Sequence, residues 1–291
     1  MKKPSVSVII PVFNRTELLL EAVSSVVAQS FRDFELVIVD DCSSEELRSA
    51  VLEIPGIGEI TLKYIRLDKH SGMPGFVRNR GAEKAEGDYL AFLDSDDIWM
   101  PEKLEKQFEV IAGKAVTGRA LQNISVKYEI CHTREKWVRD GKPVSQAFRK
   151  HKREGDIFED SLLKCIVGPS TVMMGKSLFE KYGGFREDLE VAEDYELWLK
   201  VTSENRILYI DEMLTVKRAG DWEQLSEKYG QIEIFRIKAL KGLLENSFFT
   251  REREDAAAKV FRVKCLIYAA GCRKRGKDEE AEFYENLALG Y

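Results

Sequence analysis

Three carboxylates crowd the end of one apolar run, where Tyr89-Leu-Ala-Phe-Leu is followed at once by Asp94-Ser95-Asp96-Asp97. Such a run reads as a buried strand. Acids packed at its end repel one another unless something positive sits among them. Mg²⁺ or Mn²⁺ meets that need, because a hard divalent cation prefers carboxylate, water and phosphate oxygens. A second acidic strand end lies upstream, in Phe34-Glu-Leu-Val-Ile-Val-Asp40-Asp41. Two such ends in one α/β pattern describe a site for a metal-bound diphosphate.

The elements that must position these acids alternate between strand and helix. Ser5–Ile10 is β-branched and apolar, and Pro11 is expected to end it. Thr16 is the expected N-cap of a helix whose buried face carries Leu19, Ala22, Val23, Val26 and Val27. Strands are expected at 35–39, 61–67 and 89–93, with helices at 45–52 and 75–85. This alternation implies a mostly parallel sheet, in which ligands bind beyond the carboxyl ends of strands. Both acidic clusters stand at such ends.

Further along, Pro101 fits the first position of a helix running to about Ala112. Ile124, Val126, Tyr128 and Ile130 alternate with polar residues as in a half-exposed strand. The strongly basic stretch Arg134–Arg153 has little periodicity and reads as a loop or a loosely held helix. Strands are expected at 168–174 and 206–210, and helices at 176–182 and 193–202. From Trp222 onward the pattern is wholly helical, ending in a helix at about Asp278–Leu289.

Bulk properties narrow the function. The chain has 291 residues, 44% hydrophobic and 33% charged, enough for one large or two smaller domains. A net charge of -5 argues against general nucleic-acid binding, which needs a basic footprint. Five cysteines, an odd number without a CxxC pair, suit a reducing compartment better than a disulfide framework or zinc site. The longest uncharged runs, Pro4–Asn14 and Cys165–Gly175, fall well short of the roughly 18 residues of a membrane span. The N-terminus lacks a signal-peptide pattern. A soluble, cytoplasmic protein is expected, with peripheral membrane association left open.

Taken in order, Val8-Ile-Ile-Pro11-Val-Phe13-Asn14-Arg15, Val39-Asp40-Asp41, Arg78-Asn79, Asp94-Ser95-Asp96-Asp97 and Glu193-Asp194 resemble the family-2 glycosyltransferases of the GT-A fold, over about residues 4–225. An Asp-x-Asp alone is a weak match, whereas five pieces in the right order and strand context are specific. The resemblance implies a GT-A domain over 1–221, with a Rossmann-like, mostly parallel sheet flanked by helices. Its nucleotide-sugar half would span about 1–100 and its acceptor half about 101–221. A C-terminal helical extension would follow over 222–291, open to homodimer formation.

The resemblance also implies roles. Pro11 and Phe13 would border one face of the nucleotide base, with Asn14 and Arg15 in the same turn. Asp41, with Asp40 beside it, would accept a hydrogen bond from base or ribose. Asp94, followed by Ser95, would reach the ribose, and Asp96 with Asp94 would hold Mn²⁺ or Mg²⁺. Arg78 would pair with Asp94 or a phosphate, since its fork holds two oxygens at once. Asp97 is alternatively a cap of the helix near Pro101. Asp194, with Glu193 as second choice, would be the general base on the acceptor hydroxyl. His70 would either neighbour the nucleotide or be an incidental surface or loop residue. Asp221 stands near the place where many related sequences carry a histidine, in Lys217-Arg218-Ala219-Gly220-Asp221-Trp222.

The implied function is an inverting, metal-dependent glycosyltransferase. It would move a sugar from a nucleotide-diphosphate donor, UDP-sugar favoured, to a hydroxyl of a carbohydrate or glycoconjugate acceptor. A non-catalytic sugar-nucleotide-binding relative and a nucleotidyltransferase with a similar sheet stay open as alternatives. The latter is disfavoured by the absence of a glycine-rich phosphate loop after the first strand.

Overall fold

Val6–Val12 (β1), Phe34–Asp40 (β2), Thr61–Arg66 (β3) and Tyr89–Phe92 (β4) lie parallel in the order β3-β2-β1-β4. β2 is buried along its whole length and β1 nearly so, and for this reason both read as continuous apolar runs. The computed structural model describes residues 2–113, 128–145, 153–220 and 232–291. Helices Thr16–Val27 (α1), Leu47–Leu52 (α2) and Pro74–Lys84 (α3) lie between these strands in the chain. All four expected strands and all three helices of this half are present, with ends shifted by a residue or two.

Two local expectations need correction. β1 does not stop at Pro11 but continues to Val12, with Pro11 opposite Val39. Pairing with β4 reaches only Ile9↔Phe92, so the edge toward which a proline N–H would have pointed carries no partner strand there. Thr16 is the first helical residue rather than the cap, and its hydroxyl bonds Glu45 instead of the helix backbone.

The second half adds Ile98–Trp99 (β5), Lys103–Ile111 (α4), Ile130–Arg139 (β6), Lys142–Val144 (β7), Phe158–Leu163 (α5), Val172–Gly175 (β8), Lys176–Lys181 (α6), Glu193–Glu204 (α7) and Leu208–Ala219 (β9). The sheet becomes mixed here: β8 runs antiparallel to β4 and β6, β9 parallel to β6, and β5 antiparallel to β9. Among the described residues nine strands form one sheet, with its parallel half at the N-terminal end of the chain.

The basic stretch is not a loop or helix as far as it is described. Residues 134–144 form the β6–β7 hairpin, turning at Asp140-Gly141 with positive φ at both (48° and 73°). An Asp-Gly pair at a two-residue turn is a strong hairpin signal that the surrounding charge obscured. Residues 146–152 of that stretch, and 124–127 of the expected strand before it, lie outside the described residues. β9 is longer than its apolar core suggested, because the charged Asp211–Glu212 and Lys217–Arg218 extend it across β6.

Three helices, Ile232–Glu245 (α8), Arg251–Lys274 (α9) and Asp278–Leu289 (α10), close the chain. They share one apolar cluster with α5 and α7, including Phe158, Leu162, Tyr195 and Leu199. Among the described residues no helix is long and apolar enough to cross a membrane.

Candidate functional site

The acidic triad sits where the strand pattern put it, immediately after β4. Ligand oxygens of Asp94, Asp96 and Asp97 lie within 4.8 Å of one another, a set of hard donors that fits a divalent cation. Each carboxylate is also held by a cation or hydroxyl of the chain. Arg78 Nη2 donates to Asp94 at 2.6 Å, Arg15 Nη1 to Asp96 at 2.8 Å, and Ser170 Oγ to Asp97 at 2.6 Å. The other Asp97 oxygen accepts the backbone N–H of Arg218 at 3.2 Å, which ties β9 to the triad. Asp97 is thus a buried anchor and not a helix cap.

The half-buried Lys217 reaches Asp97 at 3.7 Å and Asp94 at 4.0 Å. Burial opposes its charge, but Asp97 and Asp94 hold its ammonium above the ordinary value. Burial likewise pushes the carboxyl of Asp97 up to about 7; Lys217 opposes this, and Asp96 and Asp94 add repulsion. For Asp94 burial is overcome by Arg78 and Lys217, which bring it below the usual range. The triad is therefore close to charge balance, and Asp94 and Asp96 are its more exposed members.

Arg78 joins this triad to a second acidic pair more than 100 residues away. Its Nη1 donates to Glu193 at 2.5 Å while Nη2 holds Asp94, so one buried guanidinium links the end of β4 to the start of α7. Close approach of the helices carrying these groups requires Gly75: a Cβ there would lie 2.9 Å from the Arg186 carbonyl and 3.0 Å from Glu193 Cγ. Burial pushes Glu193 up to about 7, against the attraction of Arg78 and with Asp194 adding repulsion.

Asp194 differs from its neighbour. It is half-buried, with Oδ1 accepting the N–H of Tyr195 at 2.7 Å and Oδ2 lying 3.3 Å from Cys165 Sγ. Ala192, in the left-handed region at φ 66°, turns the chain sharply into α7. The pair divides into a buried, arginine-bound Glu193 and a more open Asp194.

At the end of β1, Pro11 is half-buried and Phe13 is exposed. His70 stacks on Phe13 with ring centroids 3.7 Å apart and planes 16° from parallel. Its Nδ1 lies 2.8 Å from Asp41 Oδ2. Asp41 also accepts from Ser71 N at 2.9 Å, Ser71 Oγ at 3.0 Å and Gly72 N at 3.1 Å, so it fastens the 70–72 loop beside Phe13. Asp40 is fully buried, with both oxygens bonded: Ser43 N to one, Tyr64 Oη and Arg66 Nη1 to the other. Asn14, at φ 47°, accepts from Ser44 N and steers the chain from β1 toward α1. Ser95 is buried within the triad's turn.

The structure thus gathers Arg15, Arg78, Asp94, Asp96, Glu193 and, beside Glu193, Asp194. Phe13 and Asp41 form a neighbouring wall through His70. Asp40 and Asn14 shape backbone around them. Asp221 lies outside the described residues. Ser170 carried no expectation of its own from sequence, and His70 and Lys217 only open ones. His70 stayed open because its contacts come from distant segments. Ser170 and Lys217 carried weak signals: the Gly168-Pro-Ser170-Thr171 turn and the basic strand end.

Comparison with known proteins bears on the family and the fold. The family described as Glycosyl transferase family 2 matches residues 7–183. TuaG of Bacillus subtilis (strain 168), named as a glycosyltransferase of teichuronic acid biosynthesis, is 32% identical over 212 residues, covering 71% of this chain and 75% of that protein. WfgD of Escherichia coli, a UDP-Glc:alpha-D-GlcNAc-diphosphoundecaprenol beta-1,3-glucosyltransferase, is 31% identical over 210 residues, covering 71% of this chain and 73% of its own. In fold, the chain resembles S. aureus TarS in complex with UDP (TM-score 0.64, 23% identity, 93% of this chain and 73% of that one). It also resembles the mannosyltransferase PcManGT of Pyrobaculum calidifontis in complex with GDP-Man and Mn2+ (TM-score 0.58, 17% identity, 99% of this chain and 80% of that one).

Proposed function

The chain belongs to glycosyl transferase family 2, and from that premise we propose that it transfers a sugar, with inversion, from a UDP-sugar to a hydroxyl of a growing polysaccharide or lipid-linked glycan. The observation that carries this reading is the double contact of Arg78, at 2.6 Å to Asp94 and 2.5 Å to Glu193, which ties the acidic cluster after β4 to the start of α7, next to Asp194. The names of TuaG and WfgD support the substrate class.

In this reading Phe13 offers a flat face to the base, and Asp41 sets that wall by holding the 70–72 loop. Asp94 receives the ribose, and Asp94 and Asp96 would hold Mn²⁺ or Mg²⁺, with Arg15 beside them at 2.8 Å from Asp96. When bound, the ion neutralises the diphosphate as a Lewis acid. Asp194 takes the proton from the acceptor hydroxyl, and that oxygen attacks the anomeric carbon. The bond to the nucleoside diphosphate breaks on the opposite face. Glu193, held by Arg78, fixes the start of α7 and thereby the height of Asp194 in the cleft. Positioning and charge stabilisation supply the catalysis. Residues 1–221 would form the transferase domain and 222–291 the extension.

On α9, Val263, Leu266 and Ile267 are exposed at 50%, 51% and 64%. An apolar face of this kind supports pairing of two copies through the tail.

The test is a thermal-shift panel of UDP, GDP, UDP-glucose, UDP-N-acetylglucosamine and GDP-mannose with and without Mn²⁺, followed by release of nucleoside diphosphate from the strongest binder. Asp194→Asn should abolish turnover while donor binding stays within about twofold. Full turnover in that variant would remove Asp194 from the mechanism.

A further inference from the structure

Residues 165–170, between α5 and β8, touch both halves of the site. Ser170 Oγ donates to Asp97 at 2.6 Å and accepts the N–H of Asp94 at 3.1 Å, which holds the donor-side turn. At the other end of the segment, Cys165 Sγ lies 3.3 Å from Asp194 Oδ2 and 3.3 Å from the carbonyl oxygen of Val167. Burial, reinforced by the Asp194 carboxylate, holds this thiol well above its ordinary range. The sulfur therefore keeps its proton and acts as a donor shared between the two oxygens. The other Asp194 oxygen accepts the N–H of Tyr195, so the carboxylate is gripped once by its own helix and once by Cys165.

We propose that Cys165 is a positioning residue for Asp194, its thiol fixing the rotation of that carboxylate while the same segment, through Ser170, fixes the donor-side acids. The proposal rests on Asp194 being the base. A base displaced by about an ångström loses up to 10²-fold in rate, so a weak donor in this place has kinetic weight. The competing explanation is packing, since Cys165 also fills space between two apolar clusters. The two accounts predict opposite substitutions: serine keeps a donor and loses apolar surface, whereas valine keeps apolar surface and loses the donor.

The experiment measures release of nucleoside diphosphate from UDP-glucose, UDP-N-acetylglucosamine and GDP-mannose with Mn²⁺ and water as acceptor, for C165S, C165A, C165V and D194N. Positioning requires that C165A and C165V lower kcat about tenfold. KM for the nucleotide sugar should stay within twofold, and C165S should remain near the unsubstituted rate. If C165V is fully active, or C165S is as slow as C165A, the positioning role is overturned. If D194N is inactive while C165A is unimpaired, only the role of Cys165 falls. If D194N turns over normally, the base assignment falls and the proposal with it.

Discussion

Replacing Arg78 by methionine keeps most of the side chain's volume and removes its charge, which isolates what the guanidinium contributes. Arg78 is 7% exposed, and each of its two carboxylate partners lies at ordinary hydrogen-bond distance. At an effective dielectric of about 20, each pair is worth roughly 4 kcal/mol gross. Breaking one buried pair by removing a partner costs about 3–5 kcal/mol. Doubling that figure would overstate the effect. Burial already pushes Glu193 up to about 7, so without Arg78 it accepts a proton near neutral pH at little cost. Asp94 is held low chiefly by Arg78 itself, so its loss lets burial raise that carboxyl too, while Lys217 remains at 4.0 Å. The expected loss is therefore about one pair, ~3 kcal/mol, which for a chain of this size lowers Tm by roughly 6–10 °C. Arg78→Lys should fall between, because one ammonium cannot span both acids. Differential scanning fluorimetry at pH 7 reads both variants. A methionine variant melting within about 2 °C of the unsubstituted protein, or a lysine variant indistinguishable from it, would show that Arg78 is not the tie between the two acidic pairs.

Asp96→Ala should weaken the Mn²⁺-dependent part of UDP binding at least about tenfold by calorimetry and leave metal-free binding unchanged; an unaltered Mn²⁺ dependence would place the ion elsewhere. Lys103 is fully buried, bonded to Gln107 at 2.5 Å with its ammonium 3.9 Å from the Trp99 ring centroid, and burial lowers its pKa from 10.5 to about 7. Between those two values the unfolded chain holds a proton that the folded chain has released, so this lysine makes stability rise with pH across the window and imposes its full penalty below it. Lys103→Met should accordingly raise Tm by a few degrees at pH 7, with the advantage shrinking toward pH 10; a pH-independent difference would contradict the burial argument. Ile267→Glu should convert a dimer to monomer in sedimentation velocity without lowering Tm, and a monomeric unsubstituted protein would remove the proposed pairing.

Much of the site was legible from order along the chain, because its acids stand at strand and helix ends that local pattern marks. An apolar run followed by charge defines the end of β4 whatever surrounds it, and the same holds for β2. The helix opened by Glu193-Asp194 announces itself by periodicity. What the residue order left open were contacts between segments distant in sequence. Nothing near His70 says that its ring will lie on Phe13, since the loop carrying it is fastened by Asp41 from another strand end. The division of labour within Glu193-Asp194 is likewise tertiary: adjacent acids of similar chemistry separate only because Arg78 arrives from α3 to claim one and Cys165 from the 165–170 segment meets the other. The β6–β7 hairpin was misread because its alternation is built from charged residues whose solvent-facing side only the assembled sheet defines. The sequence by itself determined which carboxylates stand at element ends, through periodicity and strand-end chemistry. Only the tertiary structure decided which of them are neutralised, anchored or left open, because burial and cross-chain pairing set the state of a carboxylate, and neither is a local property.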